Sequence, residues 1–499
     1  MPVIPTEPLR HSTLNLDISG VAGFFGGDVA VSAMGTVNIY QGRKWLGWYN
    51  MPGSYEIAKR YGRLARSRIW SGLYPGGHDE PAVLFELDGT VGPRYRGVYS
   101  GTVMAKTGHI ARLVVSESKE LPQQTWTIPA GARETSPIAV TIVDLHVVPA
   151  ETIEPHIMTK WSASAFTSAL SCIPMLASAG TCIACAFVED WLCFAMIAIG
   201  MFCSGFSCFV IGSGTFAFRH PKPAQGAPLG DGILDDNNHF VILRGEEGAV
   251  NPITRGAFSL TYRSAPDYSD IGLSSLFLTL QFLVQLLVVP QGTIFGQIMF
   301  LSSLGVSWLY NSFLSSLDKR SIQRRILFKD VLGNPRTYKY VLPTRTAMAV
   351  FVLLVLARPR EPSSQTETPV ADGQKTALSS PRAEQEPLGN LLNDLLPNDT
   401  EVWTTWKRDL LVKIDKHVDD LRHISFDAPV PSAKESAELH DALHKDSLVA
   451  LAAYQAYREK LEEDARSSME SIDGKRTPER KDRTSTNTFS AMEMGELQV

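Results

Sequence analysis

A chain of 499 residues has room for two to four domains, each able to bury a core of its own. A net charge of -5 leaves no basic excess, and no nucleic-acid partner is expected. All six cysteines (Cys172, Cys182, Cys185, Cys193, Cys203, Cys208) fall within one apolar window of 37 residues, which argues against a secreted disulfide framework and fits flanks that face a reducing compartment.

The opening MPVIPTEPLRHSTLNLD has no basic stretch leading into an apolar one, so no cleavable signal peptide is expected. Ile18–Tyr40 is apolar but holds five glycines and Asp28. It reads as a Gly-rich packed segment, with a membrane pass as the competing reading. RKWLGWYN sets two tryptophans beside basic residues, and SYEIAKRYGRLARSRIW follows as a helix capped by Ser54. Its basic face (Lys59, Arg60, Arg63, Arg66, Arg68) suits either an anionic leaflet or a solvated domain surface. PAVLFELDGT, RGVYSGTVM, HIARLVVSE, QTWTIPAG and PIAVTIVDLHVV are short β-prone runs, so residues 1–158 read as a small β-rich domain.

Trp161–Val188 and Trp191–Phe218 each run 28 residues without a charge, and Ile271–Leu317 runs 47. A bilayer core of about 30 Å needs roughly 20 helical residues. The long run divides at Pro290 and Gly292, where VPQG ends one helix and permits reversal. The expectation is an α-helical integral membrane protein of four passes, as hairpins over 161–218 and 271–317. The connectors Glu189–Asp190 and Pro290–Gly292 carry no Lys or Arg, whereas the opposite ends are flanked by Lys160, Arg219, Lys222 and DKRSIQRR. The positive-inside rule then puts both termini, and the 219–270 loop with its small ordered module, in the cytosol. Asn398 in NDT falls on that side and is expected to stay unglycosylated.

Residues 318–358 follow as a basic juxtamembrane helix and an apolar stretch. Lys319, Arg320, Arg324, Arg325 and Lys329 are expected at the anionic cytosolic leaflet, with Ile322, Ile326 and Leu327 on an apolar face. Thr346–Ala357 has only 12 apolar residues and reads as interfacial, a short fifth pass being the alternative. Residues 359–388 read as a flexible linker, 389–466 as cytosolic amphipathic helices, and 467–499 as a disordered tail.

The motifs yield no catalytic, cofactor or metal residue. VLFELDGTV is similar to the haloacid-dehalogenase signature at Asp88, Gly89 and Thr90, but Glu86 stands where the nucleophilic aspartate belongs, and a turn is the plainer reading. Cys182 and Cys185 have redox spacing within an apolar run, and His440 and His444 lie one turn apart without a hydrolase glutamate. Gly200, Ser204, Cys208 and Gly212 recur every fourth residue, a stripe for close helix contact. Gln281 and Gln285, with Gln297 and Asn311, are the polar groups of the second hairpin: helix-packing amides, or the lining of a pore.

EDWLCF, FVIGSG, VPQGTIFGQIMF and WLYNSFLSSLDK resemble multi-pass membrane proteins of mushroom-forming fungi, over roughly Trp161–Ala357. That resemblance implies membrane hairpins and a fungal source and carries over no functional residue. The function expected is non-enzymatic: a membrane-embedded scaffold or receptor-like protein that presents cytosolic modules to protein partners. An oligomeric channel lined by the Gln281/Gln285 face is the alternative.

Overall fold

The computed structural model describes residues 25–39, 43–76, 80–149, 169–357, 381–418, 421–424 and 434–473. The 359–380 part of the expected linker and the tail beyond Asp473 lie outside the described residues. Residues 381–388 and 467–473, also read as linker and tail, are helical.

Six strands form one mixed sheet in the order β2-β1-β5-β6-β3-β8. They are β1 (Arg94–Gly97), β2 (Val103–Met104), β3 (Ile138–Asp144), β5 (Gly232–Asp236), β6 (His239–Arg244) and β8 (Arg336–Leu342). The β3–β6 pair is parallel and its neighbours antiparallel, with Val140 beside Phe240 and Ile142 beside Ile242. β4 (Thr215–Arg219) and β7 (Ala257–Thr261) make a separate antiparallel pair. Alternation sorts the side chains of the large sheet. Ile138, Val140, Ile142, Phe240, Ile242, Tyr338 and Tyr340 enter one core, and Val143, Val241, Leu243 and Leu234 the other.

The first core is closed by four helices, α12 (Arg345–Leu356), α13 (Pro381–Leu395), α14 (Glu401–Lys416) and α15 (Lys434–Asp473). α12 is the apolar stretch expected at a membrane interface. It is buried from Thr346 through Leu356, between the sheet and α15, with Thr344 capping its first turn. A helix apolar on every side is a buried one, and twelve such residues look the same in sequence whether protein or lipid surrounds them. Polar contacts lock the layer: Arg244 to Asp144 at 3.0 Å and to Tyr457 Oη at 2.7 Å, Arg133 to the buried Asp446 at 2.6 Å. The second face carries α5 (His109–Glu120) and α8 (Glu247–Thr254). HIARLVVSE, expected as a strand, is thus the start of α5, and the PAVL of PAVLFELDGT is a single turn, α4 (Pro81–Leu84).

The remaining helices form a bundle: α1 (Gly27–Ile39), α2 (Ser54–Gly62), α6 (Cys172–Phe187), α7 (Trp191–Ile211), α9 (Ser269–Val288) and α10 (Ile294–Ser316). Two helices, Trp191–Ile211 and Ser269–Gln291, are long and apolar enough to cross a membrane. The four-pass expectation is therefore corrected. α6 has 16 residues, and α10, although 23 long, is diluted by Gln297, Asn311 and several serines. The expected N-terminal β-rich domain is corrected as well. The sheet draws β3 from before the first hairpin, β5 and β6 from between the hairpins, and β8 from after the second. All these connections therefore return to one end of the bundle, and the two hairpin tips lie at the other.

The sheet has an acid limit. His239 opens β6, is buried, and sits 2.8 Å from Ser118 Oγ and 3.3 Å from Thr141 Oγ1. Burial, helped by Lys339 and Lys119 and opposed by Asp236, pushes its pKa down to about 4. Against an unfolded value of about 6.5, the neutral ring's contribution is complete above that pH and is lost as pH falls toward 4, up to roughly 3 kcal/mol. Thermal melts between pH 7.5 and 4.5 should show this slope, and His239→Gln should remove it; an equal slope in both proteins would exclude His239 as its source.

Candidate functional site

The stripe Gly200, Ser204, Cys208, Gly212 on α7 meets an irregular segment, Arg43–Asn50, which opens with a single 3-10 turn at Arg43–Trp45, rather than another α-helix. A Cβ on Gly212 would lie 2.7 Å from Lys44 Cβ, and one on Gly47 2.2 Å from Cys208 Cβ. A Cβ on Gly205 would lie 2.3 Å from the Trp48 ring, and one on Gly200 2.1 Å from Asn50 Oδ1. The segment thus descends α7 step by step, with Trp45 against Phe209 (4.8 Å) and Trp48 against Phe202 (6.3 Å). It reverses at Gly53, whose φ of +72° only glycine adopts without strain. α2 then climbs back along α9, Tyr55 stacking on Phe282 at 5.1 Å. Gly53 rather than Ser54 is the cap residue, and Ser54 is buried in the first turn.

Irregular backbone inside an apolar bundle has to find partners within the protein. Ser204 Oγ donates to Gly47 O (2.9 Å), and Asn50 N donates to Ser178 Oγ (3.0 Å). Asn50 Nδ2 donates to Ser303 Oγ at 2.9 Å, and Tyr49 Oη donates to Asn311 Oδ1 at 2.7 Å. α6, α7 and α10 each have a polar group in this network. Gln281 and Gln285 form a separate pair beside it: Gln281 Nε2 donates to Gln285 Oε1 at 3.3 Å, and Gln285 Nε2 to Met196 O at 3.2 Å. Both are nearly fully buried, at 1 % and 2 % exposure, so the face expected to line a pore is engaged in packing α9 against α7. Gln297 turns to the hairpin tip, donating to Pro290 O and Gly292 O.

The tips are joined by Asp190. Its carboxylate is buried and caps α7 by accepting from Cys193 N at 3.0 Å. It also accepts from Thr293 N (2.8 Å) and Thr293 Oγ1 (2.7 Å) at the start of α10. Gly292 and Gly296 make room, since a Cβ on Gly296 would lie 2.0 Å from Asp190 Oδ2.

The basic residues divide between two situations. Lys319 is buried, its Nζ 2.5 Å from Glu86 Oε2 and 2.8 Å from Ser32 Oγ. That bond holds the Glu86 carboxyl below its usual range and stabilises a residue in left-handed backbone (φ +60°). Arg324 pairs with Glu120 at 2.5 Å and Glu117 at 3.5 Å on α5. The helix bearing them, α11 (Lys319–Ile326), turns Ile326 and the following Leu327 into the core rather than toward a lipid surface. Arg320, Arg325 and Lys329 are exposed. No local pattern announces these pairings, because Glu86, Glu117 and Glu120 lie some two hundred residues upstream in sequence.

Asp88, Gly89 and Thr90 line a cavity of about 470 Å³ with Glu86, Lys319 and Arg320. Burial lifts the Asp88 carboxyl above its usual range, and its Oδ1 accepts from Gly89 N in a tight turn. Cys182 and Cys185 are buried packing thiols, and Cys182 Sγ donates to Phe194 O. His440 and His444 lie on α15, and no cluster of three metal-ligating side chains occurs among the described residues. No family model, curated protein or solved structure matches this chain.

Proposed function

We propose that this protein is a membrane-embedded scaffold in which the apolar bundle sits in lipid and holds the α/β unit at one membrane face. The observation that carries the reading is the inverted polarity of the bundle. Asn50, Ser178, Gln281, Gln285, Ser303 and Asn311 are inside, while Ile173, Leu176, Ile183, Phe202, Leu280 and Leu287 face outward. Water-soluble bundles do the reverse, and contiguous exposed apolar surface on this scale marks contact with lipid or a partner.

The distribution of Lys and Arg favours a cytosolic side for the α/β unit, with Arg320, Arg325 and Lys329 toward the anionic leaflet. The role is then one of placement. The α/β unit, a large folded surface, is fixed at the membrane, where cytosolic protein partners can meet it.

Alkaline carbonate washing of membranes from expressing cells tests the proposal. The protein should stay in the pellet, and a Leu176→Glu, Ile183→Glu, Phe202→Glu triple variant should no longer integrate. Each such charge in hydrocarbon costs about 2.5 kcal/mol or more. Recovery of the wild-type protein in the supernatant would sink the idea.

A further inference from the structure

The outward residues of α9 follow one rule. Leu273, Leu276, Leu280, Leu283 and Leu287 are each between 43 and 68 % exposed, and they are spaced alternately three and four residues apart. That is the a/d pattern of a heptad, with an average repeat of 3.5 residues. The seam is narrow because its flanks are already covered. Phe277 packs edge-on against Phe206 at 5.4 Å, Thr279 Oγ1 lies 2.6 Å from Tyr74 Oη, and Val284 and Val288 pack into the tip cluster. A helix that merely faced lipid would show the same spacing but would need no single residue type along it.

We propose that this seam is a homodimer interface, in which α9 of one copy pairs with α9 of a second. A repeat of one residue type at a and d is self-complementary, as a two-fold interface requires, because each leucine inserts between leucines of an identical helix. The area agrees. The five side chains expose on the order of 450 Å² per copy, so a symmetric pair covers about 900 Å², close to the roughly 1,000 Å² of a specific interface. Copies in one membrane share their orientation, so the helices run parallel, in register, at the shallow left-handed crossing of leucine-type packing. That register rests on the membrane reading above.

Cysteine cross-linking on the full chain in native membranes tests it, with Cys172, the exposed native thiol, replaced by serine. Single cysteines at Leu276, Leu280 and Leu283 should give disulfide-linked dimers on mild oxidation, and cysteines at Phe277 and Val284 should give far less. Leu280→Ala combined with Leu283→Ala should weaken the dimer about tenfold or more, while the protein stays in the carbonate-washed pellet. The mass of the unmodified protein in detergent, measured by light scattering, should be that of two copies plus bound detergent. A flat cross-linking profile, or a monomeric mass, would overturn the proposal and leave the seam to lipid. Loss of the protein from the pellet would instead indict the membrane reading.

Discussion

Gly200→Val should expel the Tyr49–Asn50 segment from the bundle and destabilise the protein by on the order of 5 kcal/mol. The new Cβ would lie 2.1 Å from Asn50 Oδ1 and 3.2 Å from Gln285 Nε2, so neither the α7 backbone nor the amide cluster can absorb it. Overpacking alone accounts for about 1–3 kcal/mol. The rest comes from breaking the bonds of Asn50 to Ser178 and Ser303 and stranding buried polar groups, at about 1–3 kcal/mol each. Two readouts should move together: a lower melting temperature in detergent, and fast tryptic cleavage after Lys44 once the segment is free. Gly180→Val, in the neighbouring helix, is the control, because a Cβ there meets nothing within 4 Å. Equal behaviour of the two variants would mean that the segment is not wedged against α7.

Asp190→Ala carries the second large effect. It strips Cys193 N, Thr293 N and Thr293 Oγ1 of their shared acceptor in a buried site and removes the cap of α7. Cap loss costs about 1 kcal/mol, and stranding the donors at both tips brings the total to roughly 3–4 kcal/mol. Asp190→Asn keeps one acceptor oxygen and should recover part of the loss. Labelling of the native Cys193 thiol, fully buried at the tip, reports opening of the tips, which should be faster in the alanine variant than in the asparagine variant. Unchanged labelling and melting in Asp190→Ala would show that the hairpins are held together elsewhere.

The apolar hairpins and their turn at Pro290 could be read from the chain because charge exclusion and a helix breaker act locally. What surrounds each apolar run could not. Thr346–Ala357 and Trp161–Val188 are both uncharged and apolar, yet one is enclosed by a sheet and α15 while the helix within the other, Cys172–Phe187, presents Leu176 and Ile183 outward. The strands of the large sheet are scattered over Arg94 to Leu342 between helical runs, so no window of sequence contained their pairing. Alternation also misled at HIARLVVSE, where Ile110, Leu113 and Val114 fit a helical face as well as a strand and the sheet took the helix as its cover. The Gly200 stripe was visible, but its partner was not. Small residues every fourth position announce a close approach, and nothing local says that RKWLGWYN rather than a helix makes it. Likewise, Gln281 and Gln285 were legible as the polar groups of an apolar helix. That Gln285 is enclosed follows from its bond to Met196 O on α7, 89 residues away in sequence.

The inverted bundle is tested most directly by spin labels placed one at a time at Leu176, Ile183 and Phe202 in membrane-reconstituted protein, comparing collisions with oxygen and with a water-soluble nickel chelate. All three sites should be accessible to oxygen and shielded from nickel, whereas a label at the exposed Arg408 of α14 should show the reverse. Nickel accessibility at Leu176, Ile183 and Phe202 equal to that at Arg408 would contradict a bundle whose apolar face lies in lipid.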